Sequence, residues 1–418
     1  MPRVLVLSHT TGYQLRAFND AAQTLGVELA FATDRCHHLD DPWQDRAIPV
    51  RFFDVDASVT AIVRYAQEFP IDGLIAVGDQ PVVLAARAAD TLGLTWHSPA
   101  GARASSDKRR SRAALAASGL PSPAFAVVPA GVARMAEIYV PGYPCVLKPL
   151  GLSGSRGVIR VNDEQEFVAA FARINALLAR PQIRASRTGL ENQILVEQYI
   201  DGREFAVEGV MTHGAFRAFA IFDKPDPLEG PFFEETIYVT PSRLPADLQQ
   251  RVIGHVQGAA TALGLHHGPV HAECRVTRGG DVFVLEIAAR PIGGLCSRVL
   301  AFSPDASLEN VLLQHALGAP VDGYARESLA AAVMMIPIPQ RGMFKGVSGE
   351  ERARAVPGVS EVHITAKHGQ LIEPLPEAGS YLGFIFARGA TPQDAEAVVR
   401  AAHRELQFDI AKPIAVGS

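Results

Sequence analysis

Two apolar-alternating runs joined by a glycine pair, HAECRVTRGGDVFVLEIAARP from His271 to Pro291, constrain this chain more than any other stretch. Their period is that of strands with one buried face, and Gly279-Gly280 supplies the positive φ angles that a two-residue reversal needs. With those glycines as the turn, pairing outward sets Glu273 opposite Glu286 and His271 opposite Ala288 on one face, with Arg290 two pleats beyond Glu286. Two like charges ~5 Å apart repel by about 3 kcal/mol at an effective dielectric of about 20. A cation between them relieves this. Carboxylate oxygens suit Mg²⁺ or Mn²⁺, which commonly share their shell with a nucleotide phosphate. Taken alone, the pattern is equally well explained by two solvated glutamates on an exposed hairpin.

The chain has 418 residues, and 48% are apolar, so several cores and about three domains are expected. The formal net charge is −5 and the basic residues are scattered, which argues against a nucleic-acid partner. No apolar run has the length of a membrane span, and Val4-Leu5-Val6-Leu7 follows the first methionine without a leader pattern, so the expectation is a cytoplasmic enzyme that does not engage a membrane. Cys36, Cys145, Cys274 and Cys296 form no close pair, which disfavours a zinc motif or a disulfide framework. Cys145 and Cys274 lie in apolar runs and read as buried fillers. An isologous homodimer is the base-rate expectation for assembly.

Strands and helices alternate over the first hundred residues: VLVLS, a helix from Gln14 to Leu25, VELAFAT, VRFFDV, a helix from Val59 to Glu68, DGLIAVG and a helix from Pro81 to Leu92. This order argues a parallel sheet covered on both faces, with ligands beyond the carboxyl ends of its strands. Those ends are Ser8-His9-Thr10-Thr11-Gly12 and Gly78-Asp79-Gln80. His9 and Asp79 are therefore candidate substrate contacts, with turn and capping chemistry as the alternative. Ser98-Pro99 to Ser106 reads as a connector, and Asp107 caps a helix beginning at Lys108. PAFAVVP, PCVLKPL, QILVEQYI, EFAVEGVM and FRAFAIF read as strands, with helices at Asp163 to Leu178 and Ala246 to Leu263. KPDPLEGPFFEETIY, from Lys224 to Tyr238, reads as an exposed loop able to cover a site. The α+β character of the tail, with strands in MMIPIP, VSEVHITAK and YLGFIFARG and a helix from Pro392 to Glu405, marks a third domain.

Lys148 ends a buried-looking strand, and Gly151-Leu152-Ser153-Gly154-Ser155-Arg156-Gly157 follows it. Backbone N–H groups and the hydroxyls of Ser153 and Ser155 can wrap phosphate oxygens there, with Lys148 neutralising them, although a mobile turn explains such a loop about as often. The Walker pattern is absent. Further on, Glu197-Gln198-Tyr199-Ile200 forms a strand end whose backbone can read an adenine edge. Just past the Asp201-Gly202 turn, Glu204 can accept ribose hydroxyls or stand solvated on a hairpin.

In order and spacing, Asp107-Lys108, VLKPLGLSGSRGV, VEQYIDGREF, HAEC and LEIAARPIGG resemble the ATP-grasp superfamily over roughly Val4 to Asn310. Within it the chain is most similar to carboxylate–amine ligases of the L-amino-acid ligase type. The resemblance implies an N-terminal α/β pre-ATP-grasp domain (1–103), a two-lobed ATP-grasp domain (104–320) and a C-terminal α+β domain (321–418). It implies ATP and Mg²⁺ or Mn²⁺ as cofactors, with Lys108 and Lys148 on phosphates, and Glu197 with main-chain Gln198 and Ile200 on adenine. Glu204 would take ribose, Glu273 and Glu286 the metal, and Arg290 with Gly293-Gly294 the reacting carboxylate. Many relatives carry an asparagine where Ala288 stands, and others an arginine at His271, so metal number and the role of His271 stay open. His271 is read either as a phosphate contact or as a satisfied structural histidine.

The expected activity joins a small-molecule carboxylate to an amine through an acyl phosphate, releasing ADP and phosphate. Lys148 and Arg290 would be its catalytic residues. Glu234 and Glu235, in the covering loop, read as solvated acids that could also orient the amine. An ATP-dependent carboxylase or a purine-pathway ligase shares every nucleotide motif, but IAARPIGG after Glu286 lacks the Gln-Val-Glu-His run that biotin carboxylases use. Against a non-enzymatic nucleotide-binding regulator stands the joint presence of Lys148, Glu273, Glu286 and Arg290.

Overall fold

The computed structural model of the chain describes residues 1–9, 14–34, 47–131 and 138–412. Thr10, Thr11, Gly12 and Cys36, named above, lie outside them. Strands β1 (Arg3–Ser8), β2 (Glu28–Thr33), β3 (Ile48–Pro49) and β4 (Gly73–Ala76) form a parallel sheet in the order β3-β2-β1-β4. Its strands are nearly all apolar because helices α1 (Leu15–Leu25), α2 (Val55–Glu68) and α3 (Pro81–Leu92) cover it.

Two local expectations change. VRFFDV is not a strand: Ser58 Oγ ties back to both the N–H and the carbonyl of Arg51, and Asp54 caps α2, so side chains take the backbone groups that a ladder would need. Ser98 to Ser106 is no simple connector either, since Ser98 caps a helix, α4 (Pro99–Ser105), with Pro99 in its first turn. A Cβ at Gly101 would lie 2.5 Å from the Gly264 carbonyl oxygen, so only glycine lets this helix dock there.

Helix α5 (Lys108–Ala117) starts where Asp107 accepts from the Arg109 and Arg110 N–H groups. Beyond it β5 (Phe125–Pro129), β6 (Cys145–Pro149) and β7 (Ile159–Val161), then α6 (Glu164–Leu178), α7 (Pro181–Arg184) and β8 (Gln193–Gln198), form a small lobe. Its sheet order is β5-β8-β6-β7, and its core packs Phe167, Phe171 and Ile174 of α6 against Leu147 and Val196.

Strands β9 (Arg203–Thr212), β10 (Ala215–Asp223), β11 (Ile237–Thr240), β12 (Gly268–Val276) and β13 (Val282–Ala288) belong to an eight-stranded sheet, with helix α8 (Ala246–Leu263) between β11 and β12 in the chain. The order is β13-β12-β9-β10-β11, continued by strands Ala330–Ile336, Gly383–Gly389 and Val359–Ile364. Backbone pairing thus runs across position 321: Tyr238 pairs with Val333. Helix Pro392–Glu405 packs Val399 and Ala402 into the core of the far half of that sheet.

The glutamate hairpin turns differently from expectation. Gly280 alone holds a positive φ (85°), Thr277 N–H donates to the Asp281 carbonyl, and the pairing near the turn is Val276 with Val282. This reversal is one residue out of step with a two-residue turn. A bulge between Glu273 and Cys274 skips Leu285 and restores the step, so Glu273 does face Glu286, and His271 faces Ala288.

Candidate active site

A cavity of about 440 Å³ opens between the lobes and takes walls from every part of the chain, among them Asp79, Lys148, Glu197, Glu273, Arg290 and Tyr381. Its floor is one face of the large sheet. On β12 the residues of that face are His271, Glu273 and Arg275, and their partners on β9 are Glu208, Ala206 and Glu204. Period-two alternation on two paired strands thus builds a patch of acids and cations, with the small Ala206 leaving room beside Glu273.

Lys224, just past β10, is buried in this patch. Its ammonium donates to Glu204 at 2.8 Å and to Glu235, and lies 3.7 Å from Glu273. Burial alone would push that ammonium down, yet Glu204, Glu235 and Glu273 hold it well above the ordinary lysine value. Arg275 donates Nε to Glu204 at 3.0 Å and Nη1 to the Ile200 carbonyl at 2.7 Å. Three carboxylates therefore share two cations, and Glu273 is served worst: burial, with Glu235 and Glu286 nearby, pushes its carboxyl well above the usual range. Oxygens of Glu204, Glu235 and Glu273 come within 4.8 Å of one another around the Lys224 ammonium. Glu286 lies 3.9 Å from Lys108. Glu273, short of positive charge and with Glu286 nearby on the same cavity, fits a divalent cation.

At the mouth of the small lobe, Glu197 is 2% exposed and both its oxygens are taken. Lys148 Nζ sits 2.5 Å from Oε1, and Arg112 Nε donates to Oε2 at 2.8 Å. Burial raises this carboxyl, but Arg112 and Lys148 outweigh it and hold it at about 2. Arg112 also donates Nη2 at 2.7 Å to the carbonyl of Leu285, the residue left over by the bulge. The irregularity that restores the glutamate register therefore also frees an acceptor that anchors Arg112.

Lys108 donates to the Leu152 carbonyl at 2.9 Å, and Ser153 and Ser155 line the same cavity with Gln198 and Ile200. Ser155 holds a positive φ (55°), and Gly157 N–H donates to the Pro376 carbonyl of the C-terminal segment at 2.8 Å. Opposite, Arg290 Nε donates to Asp79 Oδ1 at 2.6 Å. Burial raises the Asp79 carboxyl, while Arg290, Lys108 and Ser153 bring it below the usual range. Gly293 and Gly294 follow, and at Gly294 (φ 64°) a Cβ would press on the Phe384 ring at 3.3 Å.

Lys108, Lys148, Ser153, Ser155, Glu197, Gln198, Ile200, Glu204, Glu273, Glu286, Arg290, Gly293 and Gly294 all border this cavity, whereas Glu234 does not. His9 lines it too, with Nδ1 2.7 Å from Asp34 Oδ2. The segment from Lys224 to Tyr238 is exposed only in part, at Pro227 and Glu229 to Pro231. Lys224, Leu228 and Phe233 are buried, Leu228 offers its carbonyl to Arg275 of the large sheet, and Arg160 of the small lobe donates to the Glu229 carbonyl. It straps the two lobes together, because its apolar residues fill the gap between them. Glu235 lines the cavity and accepts from Lys224 rather than facing solvent. Arg112, Glu208, Lys224 and Arg275 were not singled out by sequence reasoning. Arg275 was within reach of it, two residues from Glu273 on the same strand face.

Residues 141–299 match the ATP-grasp domain family, residues 19–95 the ATP-grasp N-terminal domain, and residues 334–411 the L-amino acid ligase C-terminal domain 2. The chain belongs to the ATP-grasp superfamily. This ATP-grasp chain superposes on an L-amino acid ligase from Bacillus licheniformis with a TM-score of 0.84 and 27% identity, over 99% of each chain. N5-carboxyaminoimidazole ribonucleotide synthetase from Thermotoga maritima, at 16% identity and a TM-score of 0.70 over 99% and 100% of the two chains, shares the fold. By sequence, the chain is 24% identical to the uncharacterized protein y4rH of Sinorhizobium fredii over 98% of this chain and 84% of that one. It is 27% identical to alanine–anticapsin ligase of Bacillus subtilis over 56% of this chain, and the match spans about half (52%) of that ligase. Among the described residues no helix is long and apolar enough to cross a membrane.

Proposed function

We propose that this protein is an ATP-dependent carboxylate–amine ligase. One observation carries the reading: Arg290 and the Gly293-Gly294 backbone border the same cavity as Lys108, Lys148 and the paired glutamates, so a carboxylate and a triphosphate can meet there. A solved structure that matches over 99% of each chain, with a TM-score of 0.84, is itself an L-amino acid ligase.

In the reaction, a substrate carboxylate oxygen attacks the γ-phosphorus of ATP, the bond to ADP breaks, and an acyl phosphate forms. An amine nitrogen then attacks the acyl carbon, inorganic phosphate departs with the C–O bond, and the amine loses a proton. Lys108, Lys148 and the Gly151 to Gly157 loop, with Ser153 and Ser155, hold phosphate oxygens, and charge neutralisation with alignment supplies most of the catalysis. Glu197, the Gln198 and Ile200 backbone and Glu204 line the nucleoside end. Because Glu197 is fully occupied by Arg112 and Lys148, its part is to hold Lys148, leaving the adenine edge to the backbone. Glu273 and Glu286 would hold Mg²⁺, which supplies Lewis-acid charge neutralisation at the phosphates. Arg290, held by Asp79, steadies the reacting carboxylate. The substrates are small molecules, and the strap from Lys224 to Tyr238 shuts water out.

A phosphate-release screen over paired amino acids, with and without bicarbonate, tests this. Release that requires both an acid and an amine is the expected result. Release dependent on bicarbonate would instead make the protein a carboxylase.

A further inference from the structure

The Ile292 peptide is gripped from two sides by residues to which the proposed chemistry assigns nothing. Its N–H donates to Glu208, with both carboxylate oxygens at 3.1 Å, and its carbonyl accepts from Gln14 Nε2 at 3.0 Å. Glu208 is completely buried on β9, and its carboxylate also lies 3.0 Å from His271 Nδ1. Gln14 comes from the other side of the cavity, at the start of α1 in the N-terminal sheet domain, 278 residues away in sequence. The next residues, Gly293 and Gly294, have no side chains with which to hold themselves, and Gly294 sits at φ 64°. A glycine pair is the most conformationally free dipeptide in a chain, so its aim has to come from its neighbours.

We propose that Gln14 and Glu208 are positioning residues that clamp the Ile292 peptide between two domains and so aim the Gly293-Gly294 backbone at the reacting carboxylate. The clamp joins the N-terminal domain to the large sheet directly at the acyl-binding corner. It makes the affinity for the acid depend on how those two domains sit, while the nucleotide end, built from the small lobe and β12, is held by other contacts. This inference rests on the ligase reading for its catalytic consequence. The clamp itself is a property of the free protein.

The test uses Gln14→Ala, Gln14→Glu and Glu208→Gln in the full chain. Gln14→Glu keeps the side-chain volume but removes the donor, so a packing role would be rescued by it and a hydrogen-bonding role would not. In the free protein, hydrogen exchange followed by mass spectrometry on a peptide covering Ile292 to Gly294 should speed up in both Gln14 variants relative to wild type. In steady-state assays both should raise KM for the acid about tenfold and leave KM for ATP within about twofold. Glu208→Gln retains a carbonyl acceptor for the Ile292 N–H and should fall between them and wild type. Unchanged exchange in both Gln14 variants overturns the clamp, as does rescue by Gln14→Glu or an equal rise in KM for ATP. Failure of the ligase reading looks different: wild-type protein that releases no phosphate with any acid and amine pair, which also removes the clamp's catalytic role.

Discussion

Arg112 Nε donates to Glu197 Oε2 across 2.8 Å, and both side chains are closed off from water, at 1% and 3% exposure. Removing Arg112 leaves the buried Glu197 carboxylate with Lys148 alone and its Oε2 without a donor. Arg112→Met should therefore cost about 1–3 kcal/mol of stability, read as a lower urea midpoint. It should also lower ATP affinity, because Lys148 would become the sole cation on Glu197. A midpoint within experimental error of wild type would show that the pair contributes nothing.

Glu286 and Arg290 sit at the ends of one run of the chain, yet their neighbours differ: Lys108 for the first, Asp79 for the second. Glu286→Ala and Arg290→Ala should each reduce ADP formation by about 10²–10³-fold, the scale of losing a principal charge-stabilising group. Circular dichroism and the thermal midpoint should remain close to wild type, since both side chains border the cavity rather than a core. Wild-type turnover in either variant would refute its assignment.

Away from the cavity, His97, His213, His266, His267 and His315 crowd together, with the rings of His267 and His315 stacked at 4.1 Å. Burial first, and the neighbouring histidines after it, lower His315 to about 3; burial likewise brings His97 to about 4. In the unfolded chain such rings titrate near 6.5. The folded state thus binds fewer protons below that value. Stability is fully present above about pH 6.5 and is lost as pH falls through about 4 and then about 3, by up to about 1.4 kcal/mol per pH unit for each ring. Glu197 acts in the same direction, its contribution present above about 4.5 and lost as pH falls through about 2. Urea midpoints measured from pH 7 to pH 4 should decline, and His315→Gln should flatten that decline. A midpoint that rises on acidification would contradict the assignment.

Gly379 of the C-terminal domain touches the Gly151 to Gly157 loop, where an added Cβ would lie 3.0 Å from the Gly154 carbonyl oxygen and 2.8 Å from Arg156 Cγ. Nearby, Arg173 of α6 makes two bonds to Glu377, at 2.6 and 2.9 Å. Gly379→Ala should push the loop off its seat and raise KM for ATP about tenfold with little change in KM for the acid. An unchanged KM for ATP would mean that this contact does not set the loop's position.

Local pattern carried much of this fold. The helices at Pro81–Leu92, Ala246–Leu263 and Pro392–Glu405 have the bounds expected from apolar periodicity and breakers, because those signals act within a few turns of chain. The Glu273 and Glu286 pairing was legible for the same reason, since alternation decides which face a residue takes. Its turn was misjudged by one residue, and the bulge that compensates has no signature of its own in the run VFVLEIA.

What the amino-acid order determined by itself, then, was the identity of most of the elements, the apolar faces they bury and the acids and glycines gathered at one cavity. Tertiary structure alone decided which cations meet those acids. Arg112 reaches Glu197 over 85 positions, Arg290 reaches Asp79 over 211, and Gln14 reaches Ile292 over 278. A buried arginine and a solvated one look alike in a sequence. The difference is made by desolvation, which exists only once strands distant in the chain have closed around the charge.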